Sequence, residues 1–114
     1  MFGNALPKRA TRDNADRFIA QRVNFKTGGA LSGEIRNSGF APHKGYLPEK
    51  YWASVNSADY IVWSYATPIA WWSEEDGWTI PDVSYSVTTS RHQSKAALGA
   101  HYSGDKRVNG TEKD

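Results

Sequence analysis

Cysteine is absent from the 114 residues. That excludes a disulfide scaffold, a Cys-ligated zinc and thiol catalysis. Long apolar runs are absent too. The longest, Tyr60-Ile61-Val62-Trp63 and Ile69-Ala70-Trp71-Trp72, fall far short of a membrane span. The N-terminal residues carry no apolar stretch of signal-peptide length. The expectation is a soluble intracellular protein with no membrane partner. Aliphatic residues are scarce: Leu, Ile, Val and Phe together number 19, a level at which disorder becomes a fair suspicion. Disorder, however, also needs high net charge and few aromatics. Here net charge is +2, with five Trp, six Tyr and four Phe. Each buried aromatic removes roughly 150–250 Å² from water, so these rings can replace the missing aliphatics in one domain's core.

Positive charge is missing from one long stretch. Residues 51–87 contain no Lys or Arg and carry five acids (Asp59, Glu74, Glu75, Asp76 and Asp82) together with all five Trp. Residues 1–50 carry nine basic and four acidic residues, and residues 88–114 carry five and three. The small net charge is therefore the sum of an acidic, aromatic centre and basic flanks. Lys and Arg are rarely fully buried, so the cation-free segment reads first as a core sheet. The functional alternative is an exposed aromatic and acidic face that docks a partner.

Residues 1–16 are polar, include Pro7 and read as a flexible arm. From Phe18 to Lys26, Val23 and Phe25 alternate with Asn24 and Lys26, which predicts an irregular strand. Thr27-Gly28-Gly29 is a turn signal, and the alternation of Leu31, Gly33 and Ile35 after it completes a β-hairpin. Pro48 suits the start of a short helix over 47–55, where Leu47, Tyr51 and Val55 form one stripe. Tyr60 to Trp72 is the strongest β signal, with Pro68 marking a bulge, bend or edge. Glu74–Gly77 reads as a hairpin loop, Trp78–Ile80 as its returning strand and Val83–Val87 as a further strand. Ser90-Arg91-His92-Gln93 has capping-box spacing, which predicts a helix over 88–100 that stops at Gly99. Residues 103–114 read as a disordered tail. The fold class is α+β: one domain over 17–102, a twisted antiparallel sheet of about five strands, open or as a partial barrel, with one or two short helices.

Motifs for chemistry are few. Gly28 and Gly33 have the spacing of a Walker loop, but Glu34 follows where Lys is needed and would repel phosphate. His92 and His101 are nine residues apart, half a turn out of phase on a helix, and cannot share a metal. No metal or cofactor is expected. No nucleophile elbow is present. His92 with Asp82 or Asp59 is the pair to consider for general-base catalysis. Thr88, Thr89, Arg91, His92, Gln93 and Lys95 would group hydroxyls and cations at a helix N-terminus, an arrangement suited to anions. Simple capping is the plainer explanation. Tyr65, Trp71, Trp72, Trp78 and Tyr85, with Thr67 nearby, could stack on bases, although the acids of the same segment oppose a phosphate backbone.

The run Ser64-Tyr65-Ala66-Thr67-Pro68-Ile69-Ala70, followed by Tyr85-Ser86-Val87-Thr88-Thr89-Ser90-Arg91-His92, resembles a small uncharacterised domain that recurs in bacteriophage proteins, notably of phages of actinobacteria. The resemblance spans roughly residues 20–95. It implies a phage origin and no established activity. In physical terms, Ser64, Thr67, Ser86, Thr88, Thr89 and His92 set small polar groups among strand aromatics, and each needs a partner if buried. They are either an internal network or the lining of one pocket. The resulting expectation is a small phage accessory protein in the host cytoplasm that binds a host protein or nucleic acid. The alternatives are an enzyme centred on His92 and a structural protein with an aromatic, acidic docking face.

Overall fold

The computed structural model describes residues 8–11, 14–36, 41–83 and 86–109. Its centre is a seven-stranded sheet whose spatial order is its chain order: β1 (Lys8–Arg9), β2 (Phe25–Lys26), β3 (Leu31–Ile35), β4 (Tyr60–Ser64), β5 (Thr67–Ser73), β6 (Gly77–Thr79) and β7 (Val108–Asn109). The inner pairs are antiparallel, and the two-residue edge strands β1 and β7 pair parallel to β2 and β6. β1 and β7 end the order on either side, so the sheet is open. Helices α1 (Ala15–Gln21) and α3 (Val87–Tyr102) accompany it, and a 3-10 turn (Glu49–Tyr51) leads into α2 (Trp52–Asn56). The α+β class and the single domain hold.

Both faces of the sheet are covered, and this explains the cation-free segment. Tyr60 and Val62 of β4 join Ile19 of α1 and Ala96 and Ala100 of α3 in one cluster. Ile61, between them in sequence, points the other way and joins Leu47, Val55 and Trp71 under α2. A strand dry on both sides has no place for Lys or Arg. Pro68 acts as its chemistry requires. The register runs Val62↔Ala70 and then Trp63↔Pro68, so Ile69 is an extra residue of β5, next to the proline in the same strand. The bulge turns both Ile69 and Ala70 into the α1–α3 cluster.

Several expectations are corrected. Residues 15–21 form a helix, where an arm to residue 16 and a strand from Phe18 were expected, because Ala15 and Ile19, four apart, bury one stripe against α3. Its end is a Schellman motif: the N–H of Arg22, at φ 52°, donates to Ile19 O, and that of Val23 donates to Phe18 O. Only Phe25 and Lys26 remain for the hairpin strand. Within the arm expected over 1–16, Ala10 and Ala15 are buried; residues 1–7 lie outside the described residues. The Tyr60–Trp72 run is two strands joined by the turn Tyr65-Ala66. Of the strand expected over Val83–Val87, Val83 is not in a strand, Ser86 caps α3 and Val87 begins it, and residues 84–85 lie outside the described residues.

The cap of α3 is Ser86, whose Oγ accepts the Thr89 N–H at 3.2 Å, so Ser90 lies inside the helix. Gly99 does not stop α3. A Cβ there would lie 2.6 Å from Ile19 Cγ2, so the glycine lets α1 and α3 meet closely. Within the expected tail, Ser103 Oγ accepts from the Trp78 indole at 2.9 Å, and Asn109 Nδ2 donates to Asp76 O and Trp78 O. Residues 110–114 lie outside the described residues.

Candidate functional site

β4 ends at Ser64, and β5 begins at Thr67. Between them Tyr65 takes φ 57°, a conformation in which a bulky residue is an outlier. Its ring projects outward, 69% exposed. The loop before α2 passes beside this turn. Gly45 makes that approach possible, since at φ 50° a Cβ would run into Thr67 Oγ1. The Tyr46 N–H then donates to Thr67 Oγ1 at 3.0 Å, and the Tyr46 ring stands 87% exposed. The N-terminus of α3 supplies the opposite wall. Together these elements enclose a cleft of about 550 Å³ lined by Tyr46, Ser64, Tyr65, Thr67, Ser86 and Thr89, with Gly45, Ala66 and Val83.

The floor is a chain of hydroxyls. Ser64 Oγ lies 2.8 Å from His92 Nδ1 and 3.2 Å from Thr89 Oγ1, which also accepts from Ser86 Oγ at 3.2 Å. His92 is buried behind Ser64. With its proton on Nδ1, the ring donates to Ser64, which passes its own proton to Thr89. With the proton on Nε2, Nδ1 instead accepts from Ser64. Ser64, Thr89 and His92 are buried, and this connected network gives each of them a partner.

A second depression of about 420 Å³ shares Tyr65 and Ala66 with the cleft and includes Lys26, Glu34, His43 and the half-buried Trp63. The acids lie elsewhere. Asp59, Glu74, Glu75 and Asp76 border a third depression, of about 700 Å³, at the far end of β4 and β5. There Asp59 Oδ2 accepts the Glu74 N–H at 2.9 Å. Arg107 donates to the carbonyls of Glu74 and Glu75 and to Asp105. These bonds from Arg107, with the Trp72 indole N–H, hold the Asp105 carboxyl well below the ordinary carboxylate range. Burial pushes the Tyr60 phenol far above its usual value, opposed by the nearby Arg22 cation.

Tyr65, Thr67 and Thr89 thus meet in the cleft, and His92 backs it. The other candidates are dispersed. Trp71 and Trp78 are fully buried, with indole N–H groups bonded to Ser54 and Ser103, and cannot stack on bases. Gln93 turns inward and donates to Pro81 O at 2.9 Å. Thr88 and Arg91 are exposed on α3, Lys95 is half-buried, and none of the three lines the cleft. Asp59, one proposed partner of His92, lies at the far end of the hairpin. Tyr46 and Gly45 escaped the sequence reading. The available signal was a lone aromatic beside glycine in a polar loop. Among the described residues, no three His, Asp or Glu side chains converge to hold a metal, and no helix is long and apolar enough to cross a membrane.

Residues 11–114 match a family of unknown function (DUF8033). The chain belongs to that family. The family's extent takes in every wall of the cleft and also β7, in the segment expected to be a disordered tail. No curated protein matches the chain, and no solved structure does.

Proposed function

We propose that the protein works by binding rather than catalysis: a small bacteriophage accessory protein that, in the host cytoplasm, holds a host macromolecule in the cleft between Tyr46 and Tyr65. The observation that carries this reading is Tyr65. A non-glycine residue in a left-handed turn conformation costs about 1–2 kcal/mol, and a ring left 69% exposed returns little of it through burial. Stability alone would favour glycine there, and strain of this kind gathers at functional sites. Exposed tyrosines beside small hydroxyl residues have the composition of recognition surfaces. The phage origin is supported by the Ser64–Ala70 signature and its resemblance. Of the two partners expected from sequence, nucleic acid and a host protein on the acidic, aromatic face both lose Trp71 and Trp78 to the core, two of the five tryptophans of that segment.

The test titrates isotope-labelled protein with host fractions enriched in protein, nucleic acid or glycan. One fraction should shift the amide signals of Tyr46 and Tyr65 saturably, and Tyr65→Gly should abolish the shift. If no fraction moves them, the reading is lost. A second reading is favoured by the 2.8 Å Ser64–His92 contact at the cleft floor: a serine nucleophile with its base. A serine-directed phosphonate that labels the wild type and not Ser64→Ala would support it, and absence of labelling would remove it.

A further inference from the structure

We infer that the ligand of the cleft is an uncharged glycan, laid across Tyr65 from the cleft into the neighbouring depression. This rests on the binding reading above and names the chemical class of its occupant. The first argument is charge. Apart from the two tyrosines, no ionisable side chain lines the cleft among the described residues. In the neighbouring depression the cation Lys26 is set against the anion Glu34. Among the described residues lining this path a phosphate chain would find one lysine, set beside a glutamate, and one histidine, and no run of cations of the kind its affinity depends on. Arg91 and Lys95, the cations expected to serve such a chain, lie outside the lining.

The second argument is the kind of polar group. Of the lining hydroxyl residues Ser86 is exposed, while Thr67, Thr89 and Ser64 are buried at the floor, and a hydroxyl both donates and accepts. Thr67 Oγ1 accepts from Tyr46 N–H, a bond that does not use its own proton. Ser64, Ser86 and Thr89 form one connected chain whose rotors can turn together. Such a floor matches ligand hydroxyls, which need a donor at one place and an acceptor at the next. The third argument is shape. A sugar ring has an apolar C–H face and a polar edge. Tyr46 and Tyr65 offer exposed ring faces beside the hydroxyl floor, so one ring could rest on a tyrosine while its edge meets Thr67 and Ser86. The cleft's volume lies within the range of about 300–1,000 Å³ usual for ligand sites. The second depression, sharing Tyr65 and backed by Trp63, gives room for further units.

The experiment probes the full chain on an array of neutral oligosaccharides, then in solution with maltohexaose, cellohexaose and the N-acetylglucosamine hexamer, with a single-stranded oligothymidylate as the comparison. At least one glycan should bind saturably, with amide shifts at Tyr46, Ser64 and Tyr65. Its affinity should be the same at low and high salt. Tyr46→Ala and Tyr65→Gly should each weaken it about tenfold or more, and Tyr65→Gly should not lower the melting temperature. If no glycan binds, or if binding survives both substitutions, the inference is overturned. Oligothymidylate binding that fades with salt, without glycan binding, would also overturn it while leaving the cleft as a binding site. If every glycan, the oligothymidylate and all host fractions leave Tyr46 and Tyr65 unmoved, both the inference and the binding reading fall.

Discussion

The two ends of the β4–β5 hairpin share the same strands and differ in how they use their polar groups. They lie about 15 Å apart, at roughly 3.3 Å per residue. At the far end sit four of the five acids of the cation-free segment. Many of their polar atoms are used by the fold itself: Asp59 Oδ2 takes the Glu74 N–H, Ser73 Oγ takes the Asp76 N–H, and Arg107 clasps the carbonyls of Glu74 and Glu75. At the turn end there is little charge, but two tyrosines stand in solvent over a hydroxyl floor. Charge draws the eye to the first end. Aromatic surface that folding leaves exposed marks the second.

The largest expected effect tests whether the turn end is anchored from beneath. His92→Ala removes a buried ring and takes a partner from buried Ser64, so it should cost about 3 kcal/mol in denaturant unfolding. A loss no greater than that of Asp59→Ala, at the exposed far end, would break the contrast. Next is Gly45→Ala, which combines a positive φ with a collision at Thr67 Oγ1 and should cost about 2 kcal/mol. Its spectrum should show Tyr46 leaving the cleft. An unchanged melting temperature would mean that the loop is not seated as described.

Tyr65→Gly should act in the opposite direction and stabilise the fold by about 1 kcal/mol, read from the melting temperature. Clear destabilisation would show that the ring has a packing role and would remove the case for strain held for function. The smallest effect belongs to the far end. Asp105 titrates below the ordinary carboxylate range because of Arg107. Its contribution is therefore complete above a pH of about 3.9 and is lost as pH falls through the lowered folded value. Arg107→Ala should raise the Asp105 midpoint in a carboxyl NMR titration and shrink this acid-sensitive part of stability. An unmoved midpoint would show that the clasp does not hold in solution.

Local chemistry was legible where a residue type has one structural use. Gly28-Gly29 made a turn, Glu74–Gly77 closed a hairpin, Pro48 preceded a short helix and Pro68 sits at a bulge of its own strand. It failed where local preference met tertiary packing. Phe18 to Lys26 alternates well enough for a strand, but Ala15 and Ile19 have more to bury against α3 as a helix. Gly99 looks like a stop until the close contact with Ile19 is seen. Ser90 and Ser86 are equally good caps by type, and the strand chosen for Ser86 in sequence was excluded because α3 begins at Val87. Of the site, Tyr65, Thr67, Thr89 and His92 were named in advance, whereas Tyr46 needed knowledge of where its loop lands.

The sequence by itself determined that the aromatic, cation-free stretch from 51 to 87 would be mostly interior, because burying a charge there would cost more than burying a ring. It also determined the α+β class, through strand periodicity interrupted by turn residues. Only the tertiary structure decided which aromatics stay outside: among the described residues Tyr46, Tyr65, Tyr102 and Trp52 are exposed, whereas Trp71 and Trp78 are fully buried. It alone brought Ser64 to His92 and Tyr46 to Thr67, across 28 and 21 residues. Hydrogen bonds between such distant positions leave no periodic trace along the chain. They arise where two elements, each formed for its own local reasons, are pressed together by the core between them.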